Sequence, residues 1–268
     1  MGLLNRWRLR RPADDNETVY VSERNGVRML HIGSDTVQSA MRLARPNDLE
    51  LAYTRSMMAF LLFNPEPRNA LVVGLGGGSV VKFLHHRLPL LDLDVVEINP
   101  QVVAISRQCF HLPPDDGRMQ VHIGDGAEFV SGPGEPVDVI AIDGYDAEAQ
   151  VEDLASVEFY RSCLARLTPA GIAVTNLWSG ERSYLETLMR WRTVFPATLC
   201  LPASKPGNVA VLGFSSEPED LRWLTLLERA RMLEPRFGLE FGRFVEGFRE
   251  LNEHDETSLK AHKKHILT

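Results

Sequence analysis

The chain contains 268 residues, of which 44% are hydrophobic and 24% are charged. This composition is typical of one large globular domain, or of a main domain joined to a smaller one. The net charge of −7 makes the protein repel phosphate backbones, which argues against nucleic acid as a partner. No stretch approaches the roughly 18 to 20 uninterrupted apolar residues of a membrane span. We therefore expect neither a nucleic-acid partner nor a membrane partner.

The N-terminal segment, residues 1–17, is rich in arginine, and these arginines precede any apolar run long enough for the core of a signal peptide. The three cysteines, Cys109, Cys163 and Cys200, are widely spaced and form no CxxC pair. Both features indicate a cytoplasmic protein with reduced thiols. We expect residues 1–17 to form a disordered basic arm.

A small β-rich lobe with a helix is predicted for residues 18–65. Asn25-Gly26 separates two runs of β-prone residues, and this dipeptide is a strong signal for a hairpin. Residues 36–41 indicate a further strand. Residues 49–62 have the spacing of apolar residues that is typical of a helix.

From residue 66 to residue 216, short apolar strands alternate with helices, which predicts a parallel sheet covered on both faces. The last two predicted strands are joined by a short turn and must be antiparallel. The sequence thus predicts an α/β fold with a methyltransferase-like, doubly wound, mostly parallel seven-stranded sheet that ends in an antiparallel hairpin. Residues 217–268 are predicted to be a helical extension with a frayed tail. The predicted strands cover residues 70–73, 93–97, 119–123, 137–142, 171–175, 197–201 and 208–214.

A glycine-rich turn, Gly74-Leu-Gly-Gly-Gly78, follows the first strand of this sheet and opens a helix. Glycines at this position let a ligand approach the backbone amides at the positive end of the helix. Glu97 ends the next strand, where an acidic side chain can accept hydrogen bonds from the ribose hydroxyls of an adenosine ligand. Two ligand classes fit these features, NAD and S-adenosylmethionine.

Two later features favour S-adenosylmethionine over NAD. Asp125, between Gly124 and Gly126, follows the third strand and can accept a hydrogen bond from an adenine amine. The C-terminal hairpin adds an antiparallel strand, whereas an NAD domain normally stays parallel. Asp143 and Asp146 follow the fourth strand, at the sheet edge where open α/β folds bind ligands. The histidines have no ligand spacing, so we expect no metal.

Together, these segments resemble the spermidine synthase family of polyamine aminopropyltransferases. The order and spacing of the motifs are more specific than any one motif, and the resemblance covers about residues 19 to 215. The motifs are Ala70 to Ser79, Val95-Val-Glu97-Ile-Asn, Val121-His-Ile-Gly-Asp125-Gly126, Asp138 to Asp146, Glu158-Phe-Tyr160, Gly171 to Thr175, and the segments around Gln38 and Tyr53.

The resemblance implies an enzyme, commonly a homodimer, that binds decarboxylated S-adenosylmethionine and moves its aminopropyl group to an amine. Asp143 would be the catalytic base that takes a proton from the amine. Tyr53, Tyr145 and Asp146 would contact the amine substrate. The nucleoside would be held by the residues that match the family's motifs, namely Gln38, Gly74, Gly76, Gly77, Gly78, Glu97, Asp125 and Gly126.

The sequence also departs from the family's pattern at the substrate site. The glycine turn has Gly77 where the family usually has an aspartate, and the family's Tyr-His-Glu segment reads Tyr53-Thr54-Arg55. These changes remove polar partners of a diamine, at a cost of roughly 1 to 3 kcal/mol for each unpaired buried group. Arg55 would suit an anionic acceptor, or the carboxylate of intact S-adenosylmethionine. We therefore expect an acceptor other than plain putrescine.

Three functions follow from the sequence. The first is an aminopropyltransferase-like enzyme that uses decarboxylated S-adenosylmethionine. The alternatives are a methyltransferase that uses intact S-adenosylmethionine and a non-catalytic nucleoside-binding dimer. The missing acid at Gly77 is the feature that keeps the methyltransferase alternative open.

Overall fold

A computed structural model of the protein describes residues 7–8, 18–144, 152–205 and 207–264. These described residues form two sheets, a four-stranded antiparallel sheet in the N-terminal lobe and an eight-stranded mixed sheet in the main domain. No helix in the described residues is long and apolar enough to cross a membrane.

The N-terminal lobe is the sheet β1-β2-β3-β4, formed by Trp7–Arg8, Val19–Arg24, Val27–Ile32 and Ser39–Arg42. Asn25 and Gly26 connect β2 to β3 with φ angles of 53° and 72°, as a tight hairpin turn requires. The predicted hairpin is therefore confirmed. The prediction of a disordered arm over residues 1–17 is wrong at β1, because these two residues pair with β2.

The helix predicted for residues 49–62 is split into two short elements. Helix α1 covers Ala52–Met57, and a 3-10 helix continues over Met58–Leu62. All five residues of the 3-10 helix are buried. Because all five residues are apolar, the run can be buried on every side, unlike a surface helix with a single apolar stripe.

The main sheet has the strand order β12-β10-β11-β9-β8-β5-β6-β7. The central strands β9, β8, β5, β6 and β7 run parallel, whereas β11, β10 and β12 are each antiparallel to a neighbour. The seven predicted strands are thus confirmed, and β12 is an additional one. The strands are β5 (Asn69–Val73), β6 (Asp92–Glu97), β7 (Met119–Ile123), β8 (Val137–Ile142), β9 (Leu167–Trp178), β10 (Ala197–Pro202), β11 (Asn208–Phe214) and β12 (His262–Lys263).

Alternate residues of each strand point to opposite faces of the sheet. Both sets are apolar in the central strands, so helices cover both faces. In β5, for example, Val72 packs on the face of the N-terminal lobe, and Val73 packs on the other face. The helices are α2 (Ser79–Arg87), α3 (Pro100–Cys109), α4 (Gly126–Ser131), α5 (Val157–Arg166), α6 (Tyr184–Val194), α7 (Trp223–Phe237) and α8 (Phe241–Leu251).

The C-terminal extension is part of the core. Helices α7 and α8 bury Leu226, Phe237, Phe241 and Phe248 in the same cluster as the N-terminal lobe and one face of the sheet. The predicted helical character of this region is confirmed. The prediction of a frayed tail is wrong as far as β12, which pairs with β10 and adds an eighth strand to the sheet.

Candidate active site

A cavity of about 210 Å³ lies at the edge where the parallel strands β5, β6 and β8 end. Open α/β sheets bind their ligands at this edge, where successive loops diverge. Most residues that the sequence predicted for the site line this cavity, although they come from distant segments. They are Gln38, Tyr53, Gly74, Gly76, Glu97, Asp125, Gly126 and Asp143.

The glycine turn passes close to other backbone at two points. Gly74 has a φ angle of +90°, and a Cβ atom there would lie 2.3 Å from the carbonyl oxygen of Asp143. Only glycine allows the end of β5 to approach Asp143 this closely. The Ser106 hydroxyl, on α3, donates a hydrogen bond to the carbonyl oxygen of Gly76 at 2.5 Å. Both contacts hold the turn in place.

Glu97 holds the glycine turn from the side of β6. Its Oε2 atom accepts a hydrogen bond from the Leu75 amide at 2.9 Å, and its Oε1 atom accepts one from the Asn99 amide at 2.9 Å. Burial raises the pKa of Glu97 even though these backbone groups favour the carboxylate. Glu97 also lines the cavity, which places its carboxylate where ribose hydroxyls can donate to it.

Asp125 is the N-cap of α4. Its Oδ1 atom accepts hydrogen bonds from the amides of Ala127 at 2.7 Å and Glu128 at 3.0 Å. This cap fixes the orientation of the carboxylate at the cavity wall. Neighbouring Gly126 has no room for a side chain, because a Cβ atom would lie 2.6 Å from Val73.

Asp143 follows β8 directly, and its Oδ2 atom accepts a hydrogen bond from the Tyr53 hydroxyl at 3.0 Å. The same hydroxyl lies 3.2 Å from the carbonyl oxygen of Gln38. Burial raises the pKa of Asp143 to about 6, although the hydrogen bond from Tyr53 opposes the rise. A carboxyl group with this pKa is mostly ionised at neutral pH and is a stronger base than an ordinary aspartate.

Gly77 and Gly78 do not line the cavity. A Cβ atom at Gly77 would lie 2.7 Å from the Ser39 hydroxyl oxygen and 3.0 Å from the Phe110 ring, so no side chain fits there without displacing a neighbour. Gly78 is the N-cap of α2 and has a left-handed backbone, with φ at 69°. These two glycines pack against neighbouring side chains and so belong to the scaffold of the turn. Tyr145 and Asp146 lie outside the described residues.

Arg55 does not face the cavity either, which corrects the expectation that it would attract an anionic ligand. Its Nε atom donates to Glu240 Oε1 at 2.9 Å, and a second guanidinium nitrogen contacts Glu240 Oε2. Arg55 instead lines another cavity, together with Asp48 and Glu50. No pattern in the sequence predicts this pair, because the two residues are 185 positions apart.

Asp153, Leu154 and Ile98 also line the cavity, and the sequence analysis missed them. Asp153 and Leu154 belong to a 3-10 turn, Glu152–Ala155, that has no strand-end signal. Ile98 could have been found, because it directly follows Glu97. In the described part of the chain, no group of three or more His, Cys, Asp or Glu residues could hold a metal ion.

The doubly wound sheet, the glycine turn and the acids at the strand ends define a class of α/β proteins that bind nucleoside ligands at this edge. A sequence model described as "Spermine/spermidine synthase domain" matches residues 50–203. The chain therefore belongs to the spermine/spermidine synthase family, which confirms the resemblance found in the sequence.

Curated relatives agree with this assignment over almost the whole chain. A polyamine aminopropyltransferase from Chromobacterium violaceum is 41% identical over 249 residues, which is 92% of this chain and 95% of the relative. One from Neisseria meningitidis is 40% identical, with the same coverage. Proteins of this kind are transferases, and this protein is an enzyme of that class.

Solved structures confirm the fold. A probable spermidine synthase from Corynebacterium glutamicum has a TM-score of 0.67 at 17% identity and covers 98% of this chain and 92% of its own. A spermidine synthase in complex with the transition state analogue AdoDATO has a TM-score of 0.65 at 19% identity, covering 85% of this chain and 87% of its own. Human methyltransferase-like protein 13 in complex with SAH has a TM-score of 0.62 at 27% identity, with 77% and 96% covered.

Proposed function

We propose that this protein transfers the aminopropyl group of decarboxylated S-adenosylmethionine to an amine acceptor. The observation that carries this proposal is the charge of the cavity. The ionisable side chains among its described lining residues are acids and a tyrosine, without a lysine, arginine or histidine. The acids are Glu97, Asp125, Asp143 and Asp153.

A cavity with this charge favours cations. Decarboxylated S-adenosylmethionine carries a sulfonium and an ammonium group, and an amine acceptor is also cationic at neutral pH. Intact S-adenosylmethionine carries an additional carboxylate, which would face acids without a compensating cation. Arg55, which had been the expected cationic partner of that carboxylate, lies outside the cavity. Aminopropyl transfer is accordingly favoured over methyl transfer.

We assign nucleoside binding to the residues that the glycine turn and the strand ends bring together. Glu97 would accept the ribose hydroxyls, and Asp125 would accept the adenine amine. Gln38, Gly74, Gly76 and Gly126 would form the remaining wall. Gly77 and Gly78 would act indirectly, by keeping the turn in its shape.

The chemical step needs a base, because an ammonium group has no lone pair for attack. Asp143 would take one proton from the acceptor ammonium, and the free nitrogen would then attack the methylene carbon beside the sulfonium. The new C–N bond forms as the C–S bond breaks, and the electron pair of that bond stays on sulfur. Methylthioadenosine leaves as a neutral thioether, so positioning supplies most of the rate.

The identity of the acceptor stays a prediction. One argument against putrescine, the cation at Arg55, no longer applies, because Glu240 pairs with it outside the cavity. The other argument, the missing aspartate at Gly77, still applies, because no side chain fits there without displacing a neighbour. Tyr145 and Asp146, which would contact the amine, lie outside the described ranges. The homodimer also stays a prediction, which the mass in solution can test.

The proposal is tested by incubating the protein with decarboxylated S-adenosylmethionine and each of a panel of amines that includes putrescine. We expect methylthioadenosine and an aminopropylated amine in equal amounts, and at least about 100-fold slower product formation by Asp143→Asn at the same enzyme concentration. Formation of S-adenosylhomocysteine from intact S-adenosylmethionine, without methylthioadenosine from the decarboxylated form, would contradict the proposal. Binding without any turnover would support the non-catalytic alternative instead.

A further inference from the structure

Helix α1 carries Tyr53, yet it has little stability of its own. It contains six residues, and its N-cap, Leu51, makes no side-chain capping hydrogen bond. Isolated helices shorter than about 12 residues are marginal in water, because the first turn costs more entropy than its hydrogen bonds return. The position of Tyr53 must therefore depend on contacts between α1 and the rest of the molecule.

Arg55 connects α1 to a distant segment of the chain through polar contacts. Its guanidinium contacts both carboxylate oxygens of Glu240, and its Nη1 atom donates to the Leu49 carbonyl at 3.2 Å. The side chains of Arg55 and Glu240 are 28% and 24% exposed, so water screens the pair less than an ion pair on the open surface. A two-pronged contact of this kind fixes orientation as well as distance.

The ion pair of Arg55 and Glu240 lies on the opposite side of α1 from Asp143. Residues two positions apart on a helix do not face each other. Tyr53 therefore lines the cavity with Asp143, and Arg55 lines the cavity with Asp48 and Glu50. Glu240 directly precedes α8, and α8 packs into the core beneath the lobe. The ion pair thus ties α1 to the C-terminal helices, which lie beyond the segment 50–203 that the family model matches.

We propose that Arg55 and Glu240 are positioning residues, whose ion pair orients α1 so that Tyr53 donates its hydrogen bond to Asp143. Neither side chain lines the active-site cavity, so both would act through the helix. This inference rests on the proposed role of Asp143 as the base. Through this ion pair, the C-terminal helices would influence the geometry of the active site.

The proposal has a consequence for the titration of Asp143. A hydrogen bond from Tyr53 stabilises the carboxylate and lowers the pKa of Asp143, opposing the effect of burial. Loosening α1 would therefore raise that pKa further. Other ionisable groups line the same cavity from segments outside α1: Glu97, Asp125 and Asp153.

Arg55 also has charged neighbours besides Glu240, so a single substitution is not sufficient as a test. Asp48 and Glu50 both act on Arg55 electrostatically, and Arg42 and Arg45 line the same cavity. Without Glu240, the Arg55 guanidinium could turn to one of these carboxylates. A double-mutant cycle of Arg55→Gln and Glu240→Gln separates the pair from this background.

The matched control is Arg236→Gln. Arg236 of α7 pairs with Glu66, just beyond the 3-10 helix, at 3.1 Å, and the two side chains are 39% and 71% exposed. This variant also removes an Arg–carboxylate contact between the C-terminal helices and the segment that follows α1. It does not touch α1 itself.

Two readouts are measured for every variant. One is the pH profile of kcat/KM for methylthioadenosine release. The other is the pH titration of the Asp143 carboxyl carbon by ¹³C NMR, assigned by its loss in Asp143→Asn. The NMR readout requires no turnover, so it tests the inference even if the wild-type protein fails to transfer an aminopropyl group and the proposed function is wrong.

Each single variant should lower kcat/KM by roughly ten- to a hundredfold and move the Asp143 titration to higher pH. The double variant should be no worse than either single variant, and Arg236→Gln should resemble the wild type. The inference is overturned by an unmoved Asp143 titration, by losses that add in the double variant, or by an equal loss in Arg236→Gln.

Discussion

Two of the cavities that border α1 differ in how their charges are arranged. The active-site cavity collects acids, including Asp143, without a cation among its described lining residues. The other, of about 410 Å³, contains both signs, and its arginines are paired with carboxylates of the same protein. The paired arginines are Arg42 with Glu50, Arg45 with Asp48, and Arg55 with Glu240.

This difference separates a binding site from a scaffold. Buried or half-buried charges without an opposite charge beside them are costly even where they have hydrogen-bond donors, and a protein keeps them where a ligand supplies the opposite charge. Charges that already have partners gain little from a ligand and instead hold segments together. By this reasoning, we expect the first cavity to bind cations and the second one to keep α1 in place.

The largest expected effect comes from removing the base. Asp143→Asn keeps the size and the hydrogen bond of the side chain but cannot take a proton from the acceptor. We expect kcat to fall by roughly 10²- to 10⁴-fold, with nucleoside binding retained. In the wild type, kcat/KM should decrease as pH falls through about 6, where Asp143 becomes protonated. Steady-state kinetics across pH 5 to 9 would check both, and an activity loss of less than about tenfold would contradict the role of base.

The next effect tests the close approach at the glycine turn. Gly74→Ala places a Cβ atom 2.3 Å from the Asp143 carbonyl oxygen, at a φ angle of +90°. We expect a loss of roughly 3 kcal/mol of stability by chemical denaturation, and a displaced Asp143 with reduced activity. Gly117→Ala is the control, because a Cβ atom there meets nothing within 4 Å. Equal stability of the two variants would show that the turn is not constrained.

A stability measurement tests the cost of ionising Asp143, which has no cation beside it among the described lining residues of the cavity. The rise in the pKa of Asp143 from 3.8 to about 6 corresponds to a cost of roughly 3 kcal/mol when the group is ionised in the folded protein. The folded-state pKa is the higher one, so this cost appears as pH rises through that range. Asp143→Asn should therefore be more stable than the wild type at pH 8, with the gain shrinking towards pH 4. Thermal unfolding of both proteins at pH 8 and pH 4 would measure this difference in stability. A gain that is the same at both pH values would contradict the prediction.

The smallest effect is expected in the second cavity. Arg42 pairs with Glu50 at 2.5 Å, but the two side chains are 38% and 25% exposed. Exposed pairs of this kind contribute about 0 to 1 kcal/mol, so Arg42→Ala should change stability by less than about 1 kcal/mol. Its kcat/KM should stay within about twofold of the wild type. A large loss of activity in Arg42→Ala would mean that the second cavity takes part in substrate binding after all.

Local signals predicted much of the fold and of the active-site cavity. Asn25-Gly26 gave the hairpin, and the alternation of apolar runs gave the parallel sheet. Glu97, Asp125 and Asp143 were found because strand ends meet at one edge of such a sheet. Each of these predictions depends on a pattern within a few residues or on a general rule of topology.

The features that the sequence analysis missed depend on contacts between distant segments. Lys82 is 2% exposed, and its Nζ atom donates to the carbonyl oxygens of Pro46 at 2.8 Å and Phe110 at 2.6 Å, joining the lobe to the main domain. Its position in the sequence of α2 does not distinguish it from a lysine on the surface. The Arg55–Glu240 pair and the β12 edge strand went unnoticed for the same reason, since no periodicity links residues that far apart.

The most direct test of the central claim is calorimetric titration of the protein with decarboxylated S-adenosylmethionine, intact S-adenosylmethionine and methylthioadenosine. Glu97→Ala serves as the control for nucleoside binding and should weaken all three. If the acid-lined cavity selects cations, the decarboxylated form should bind roughly tenfold or more tightly than the intact form. Equal or tighter binding of intact S-adenosylmethionine would contradict the claim.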